Sequence, residues 1–175
     1  MTADTVENGK SVFQCLQDIL EKSRARYVVH EHVMTRTVED AERNLSFDVT
    51  RLVKTVAFRI RNSGIILAAI RGTRRVDYAR LAALAGVNRR DLSSLSPDEI
   101  EELLMVEPGC VSPVPLRKDV EVFIDDDVLT ILPTLYCGIG RPDRTLEIAP
   151  DDLVRLAEGR VGGFSRPKGE DSTKT

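Results

Sequence analysis

The stretch Glu107-Pro108-Gly109-Cys110-Val111-Ser112-Pro113-Val114-Pro115 organises the reading of this chain. Three prolines, one glycine and one serine in nine positions exclude a helix or a central strand, so the segment is a loop. Gly109 lacks a Cβ and lets backbone approach a ligand closely. Pro113 fixes its own φ and pushes Ser112 towards an extended shape. A stiff loop with exposed N–H groups can hold a carbonyl or an oxyanion. A simple connecting turn is the plain alternative.

Outward from the loop, the elements follow from local signals. On its N-terminal side, Ser96-Pro97-Asp98-Glu99 combines a capping serine, proline at the first helical position and glutamate three residues on, which predicts a helix to about Val106. On its C-terminal side, strands are predicted near Val122–Asp125, Leu129–Cys137 and Thr145–Ile148, then a helix opened by Pro150-Asp151-Asp152 and a last strand over Val161–Phe164. Further upstream, Asp77 caps a helix closed by Gly86. Leu52–Ile60 and Ile65–Ile70, joined by Asn62-Ser63-Gly64, read as a hairpin. Thr37 caps a short helix, Val38 to Leu45. Tyr27 to His32 reads as a strand, and Val12, Phe13, Leu16, Ile19 and Leu20 form one stripe of a first helix. Met1–Asn8 are expected to be frayed, within a flexible N-terminus over residues 1–9, and the tail from Ser165 is expected to be disordered. The irregular mixture predicts one α/β domain over residues 10–165, with a mixed, largely antiparallel, barrel-like sheet surrounded by helices.

Composition narrows the function. The 175 residues are 42% hydrophobic and 30% charged, enough for one real core. A net charge of −3 supplies no whole-molecule field for nucleic acid, so such a partner needs a local basic patch. No apolar run reaches membrane-spanning length, and no membrane partner is expected. Three widely spaced cysteines, Cys15, Cys110 and Cys137, argue for free thiols in a reducing cytoplasm.

Particular residues carry chemistry. Lys54 interrupts an apolar strand and is rarely buried without a partner; it either snorkels to solvent or faces a cleft that receives an anion. His30 and His32 share a strand face and could join Cys110 around a metal. No other histidine and no Cys-x-x-Cys exists, so no metal is expected; His32 reads as a site-wall or structural residue and His30 as incidental. Cys110 could pair with His32 as a nucleophile, or be a small buried thiol. Gly138-Ile139-Gly140 lacks the following helix of a dinucleotide site, so no cofactor is expected. Asp125-Asp126-Asp127 reads as a turn. Arg71, Arg74 and Arg75 form either a solvated basic face or a phosphate contact.

Four segments together resemble the YbaK-type aminoacyl-tRNA deacylases, relatives of the editing domain of bacterial prolyl-tRNA synthetases. They are Glu31-His32 with Thr37-Val38-Glu39-Asp40-Ala41; Val53-Lys54-Thr55-Val56; Gly109-Cys110-Val111-Ser112-Pro113; and Val122-Phe123-Ile124-Asp125 with Gly138 and Leu146 to Leu153. The resemblance implies a hydrolase acting in trans on the ester of a mischarged tRNA, with a small amino acid (alanine first, cysteine or serine behind) on tRNA-Pro, and sparing prolyl-tRNA. It implies a catalytic frame of Lys54, Gly109, Ser112 and Pro113, and substrate contacts from His32, Thr37, Val111, Asp125 and Gly138. The substrate's own ribose 2′-hydroxyl would help activate water. Pro115 and the pair Cys110-Val111 depart from, or vary within, the family pattern and bear on amino-acid specificity. A non-catalytic tRNA- or protein-binding member of the same fold, and a small-molecule ester or amide hydrolase, are the other readings.

Overall fold

Six consecutive buried residues, Ile65 to Ile70, make the centre of the molecule. They belong to strand β3 (Ile65–Arg71), which pairs with β2 (Val53–Ile60) as the hairpin expected from the sequence. A strand apolar on both sides needs cover on both faces. One face packs Val53, Ala57, Leu67 and Ala69 into a cluster with Val12, Leu16 and Leu20 of α1 (Val12–Lys22). The other packs Phe58, Ile66, Ala68 and Ile70 with Leu81 and Ala82 of α3 (Tyr78–Ala85). The computed structural model describes residues 9–46 and 48–169; the expectations for Met1–Asn8 and for residues 170–175 lie outside the described residues.

The remaining elements are β1 (Tyr27–Glu31), α2 (Val38–Asn44), β4 (Arg74–Val76), β5 (Leu92–Ser94), α4 (Pro97–Leu104), β6 (Val120–Asp125), β7 (Leu135–Gly138), β8 (Arg144–Ile148), α5 (Pro150–Ala157), β9 (Arg160–Gly162) and β10 (Ser165–Pro167). The main sheet runs β5-β2-β3-β6-β9, a second runs β1-β8-β7, and β10 pairs with β4. A parallel bridge, Leu52 to Tyr136, joins the first two sheets. The chain is thus α/β with mixed sheets. The β3–β6 and β6–β9 pairs are parallel, the others antiparallel. Thr37, Asp77 and Ser96 cap α2, α3 and α4, and Gly86 closes α3 at φ 72°.

Three expectations are corrected. The strand expected from Leu129 begins only at Leu135, because Asp126–Thr130 winds as a 3-10 turn and Pro133 has no N–H for a ladder. The last strand over Val161–Phe164 is instead β9, ending at Gly162, and Phe164 turns into the core. The segment expected to be disordered from Ser165 instead begins as strand β10, and Asp125, 1% exposed, accepts hydrogen bonds from the backbone N–H of Phe164 (2.7 Å) and Ser165 (2.8 Å) and from the Ser165 hydroxyl (2.6 Å). A buried carboxylate needs such partners, and this one stitches the C-terminal segment to β6.

Candidate active site

A cleft of about 350 Å³ opens where β2, the start of α2, the loop after α4 and the β7–β8 turn meet. Backbone hydrogen bonds assemble its rim. His32 N–H donates to Asp143 O (3.1 Å) and Thr35 N–H to Pro142 O (2.7 Å), tying the segment before α2 to the β7–β8 turn. Gly140 N–H donates to Cys110 O at 2.9 Å, which fixes the loop on β7. Gly109 sits at φ +88°, and a Cβ there would run into the Arg36 carbonyl. The glycine is therefore required twice, for its conformation and for its close approach.

Lys54 lines the cleft. It is half-buried, on the face of β2 that carries Val56 and Phe58. Its ammonium donates to the Gly72 carbonyl at 3.0 Å and has no carboxylate partner among the described residues. Burial, reinforced by the nearby Lys168 and Arg75 charges and opposed by Glu39, holds its pKa below the ordinary lysine value. An anion arriving in the cleft would relieve that penalty.

Gly109, Val111, Gly138 and Thr37 also line the cleft. Thr37 is committed to its helix: its hydroxyl accepts from Asp40 N–H at 2.9 Å. His32 stands one step behind the wall. Its Nδ1 donates to the Val33 carbonyl at 2.6 Å, since a carbonyl only accepts, and its Nε2 shares a hydrogen bond with Thr145 Oγ1 at 2.8 Å. Thr145 lines the cleft, so His32 orients a wall residue. Both ring nitrogens are engaged, and no Cys110–His32 pair forms. Burial, with Glu107 nearby, pushes the Cys110 thiol up to about 11, which makes it inert at neutral pH.

Ser112, Pro113 and Asp125 are not among the cleft-lining residues. Ser112 is buried, and its hydroxyl accepts from Val114 N–H at 3.1 Å; it lines a small apolar cavity behind the loop. Pro113 is buried alongside it. Asp125 anchors the C-terminal segment, as described. His30, read as incidental, donates from Nε2 to Glu147 at 2.6 Å and meets the Tyr136 ring edge-on. Arg71 and Arg74 are both held in structural contacts: Arg71 pairs with Asp127 at 2.7 Å, and Arg74 donates to the Ser165 hydroxyl at 2.6 Å.

Other cleft residues escaped the sequence reading. Lys168 comes from the segment expected to be disordered, and pairs with Glu39 at 3.7 Å. Arg141 and Arg144 flank Asp143 and both pair with it at 2.8 Å; the Arg141 hydrogen bonds hold its carboxyl at about 2. The Arg-Pro-Asp-Arg turn was a visible signal for these two. Thr55 Oγ1 is buried against the cleft with no hydrogen-bond partner among the described residues. Among the described residues, no group of three His, Cys, Asp or Glu side chains could hold a metal ion, and no helix is long and apolar enough to cross a membrane.

The family model for the aminoacyl-tRNA editing domain matches residues 32–156, and the chain belongs to that family. It is 27% identical to the uncharacterized protein YwhH of Bacillus subtilis (strain 168) over 139 residues, 79% of this chain and 86% of that one. It is 33% identical to a stretch of the proline–tRNA ligase of Xanthomonas axonopodis pv. citri (strain 306), covering 55% of this chain but only 16% of the ligase. Among solved structures it resembles hypothetical protein APE2540, with TM-score 0.77 and 25% identity over 86% of this chain and 99% of that one. It also shares the fold of a protein described as a candidate trans-editing enzyme for prolyl tRNA synthetase, with TM-score 0.75, 24% identity and coverage of 90% and 98%.

Proposed function

We propose that this chain hydrolyses the ester between a small, wrongly attached amino acid and the terminal adenosine of a tRNA, acting in trans in the cytoplasm, with tRNA-Pro as the tRNA body. The observation that carries the reading is Lys54: a desolvated cation without a carboxylate partner among the described residues, set in a cleft beside the Gly109–Val111 backbone. In this reading Lys54 binds the anionic tRNA end as a point charge. The Val111 N–H, which has no protein acceptor among the described residues, is available to a developing oxyanion. Among the described residues no nucleophile–base pair lines the cleft, consistent with a water attack assisted by the substrate's own ribose hydroxyl. Val111, Val53 and Cys137 wall the cleft with apolar bulk and favour a small side chain.

The same lack of a nucleophile–base pair also fits a family member that binds the tRNA end without cleaving it. The deciding experiment measures amino-acid release from one tRNA body charged in turn with alanine, cysteine, serine and proline, with free aminoacyl esters as controls. Fastest release of alanine and sparing of proline supports the proposal. Equal rates, or fastest release of proline, removes the size-exclusion argument; tight binding without release establishes the non-catalytic reading.

A further inference from the structure

A second cavity, of about 290 Å³, lies on the far side of Lys54. Lys54 lines both cavities. The second is bounded by the β4–β10 ladder and carries Arg75, Arg166 and Tyr78 over an apolar floor of Phe58 and Ile70. None of the described residues that line it is acidic.

The register of the ladder makes the arrangement unusual. Arg75 stands directly opposite Arg166 in the antiparallel β4–β10 pair. Directly opposed residues project to the same face, and like charges there are destabilising. Arg74, the neighbour of Arg75, is instead held by the Ser165 hydroxyl and lies 4.0 Å from Asp127. Arg75 has no carboxylate partner among the described residues. The fold therefore neutralises one arginine of the pair Arg74-Arg75 and leaves the other facing a second arginine and a half-buried lysine. An anion there would be attracted by both Lys54 and Arg75, whose charges otherwise repel each other.

We infer that this cavity is a phosphodiester site for the nucleic-acid strand whose 3′ end enters the first cleft, with Lys54 at the junction. The inference rests on the deacylase reading for the direction in which the strand runs. The acidic whole-molecule charge of −3 makes such a local track the means by which this protein would hold a polyanion.

The test separates phosphate binding from ester chemistry. Binding of an uncharged RNA oligonucleotide ending in CCA is followed by fluorescence anisotropy between about 50 and 200 mM salt. The slope of log K against log salt should flatten by about 0.7 in Arg75→Gln and by about 1.4 in Arg75→Gln/Arg166→Gln. In parallel, kcat/KM on alanyl-CCA should fall about tenfold for one arginine and about a hundredfold for both. Hydrolysis of phosphate-free alanyl-adenosine should not change. Arg75 is exposed and sits in a like-charge pair, so Arg75→Gln should melt no lower than the wild type. An unchanged salt slope, an unbound oligonucleotide, or equal losses on both substrates would overturn the inference. If the wild type hydrolyses neither substrate, the deacylase reading falls, and the salt slope still decides whether the cavity takes a phosphodiester.

Discussion

A Cβ on Gly138 would stand 2.7 Å from the carbonyl oxygen of Val111. The loop therefore rests directly on β7, backbone against backbone, and neither partner is a flexible side-chain end that could swing aside. On its other side Gly109 is held just as closely against Arg36. The cleft backbone is clamped from both sides by glycines.

Gly138→Ala and Gly109→Val should each displace the loop. We expect a stability loss of about 1–3 kcal/mol from overpacking. Misalignment of an oxyanion donor should cost about 3–4 kcal/mol of transition-state stabilisation, well over a hundredfold in kcat/KM. Thermal melts beside deacylation rates check both; wild-type activity in either variant would show that the loop does not touch the ester.

Lys54→Ala should leave the melting temperature unchanged or slightly higher, because it removes a cation that burial disfavours. Deacylation should fall by about 1.5–3 kcal/mol, the worth of a charge-assisted hydrogen bond. The sign of the pH effect follows. A lysine with a depressed folded pKa costs stability while charged; the cost is present at neutral pH and fades as pH rises through that depressed value towards 10.5. Binding of tRNA, which uses the charged form, should weaken over the same rise. Lys54→Arg should keep its affinity through that range, and identical pH profiles for the two proteins would refute the assignment.

Cys110→Ser should retain activity, as should the wild type after exhaustive chelation. With their thiols pushed up to about 11 and about 12 by burial, Cys110 and Cys137 should resist iodoacetamide at pH near 8, where the partly exposed Cys15 is modified. Peptide mapping of the alkylated protein reads this directly. Activity lost to EDTA and restored by zinc would reinstate a metal.

Thr55→Val should stabilise the fold by up to about 1 kcal/mol, since it deletes a buried hydroxyl without a partner among the described residues. If that hydroxyl meets a polar atom of the aminoacyl group, kcat/KM should fall about tenfold. A variant more stable and equally active on every aminoacyl-tRNA would confine Thr55 to the wall.

Asp125→Ala should be costly in a different way. It leaves the N–H groups of Phe164 and Ser165 without their carboxylate, a loss of roughly 3 kcal/mol or more, while Asp125 does not line the cleft. Denaturant unfolding should show the loss, and a variant as stable as the wild type would show that the stitch carries no such weight.

What was legible in the sequence was local. The caps at Thr37, Asp77 and Ser96 and the hairpin around Asn62-Ser63-Gly64 depend on residues a few positions apart, and the structure carries them as read. Long-range pairings were not legible. Nothing near Lys168 in the chain announces Glu39, and nothing near Asp125 announces Phe164. The parallel β3–β6 pair hides in the same way, because some fifty residues separate its strands. Even the central loop divides: Gly109 and Val111 line the cleft, whereas Ser112 and Pro113, one and two residues beyond Val111, are buried behind it. A motif contiguous in sequence does not imply that all of it faces one ligand.

The stitch from Asp125 to Ser165 also makes the main sheet depend on a segment late in the chain. In chain order β2, β3 and β6 all precede Phe164, so without that segment the Asp125 carboxylate lacks the N–H groups that satisfy it. Arg166 and Lys168 arrive later still, as the final portions of both cavities. A chain that lacks this segment therefore lacks both the N–H partners of Asp125 and one basic residue of each cavity.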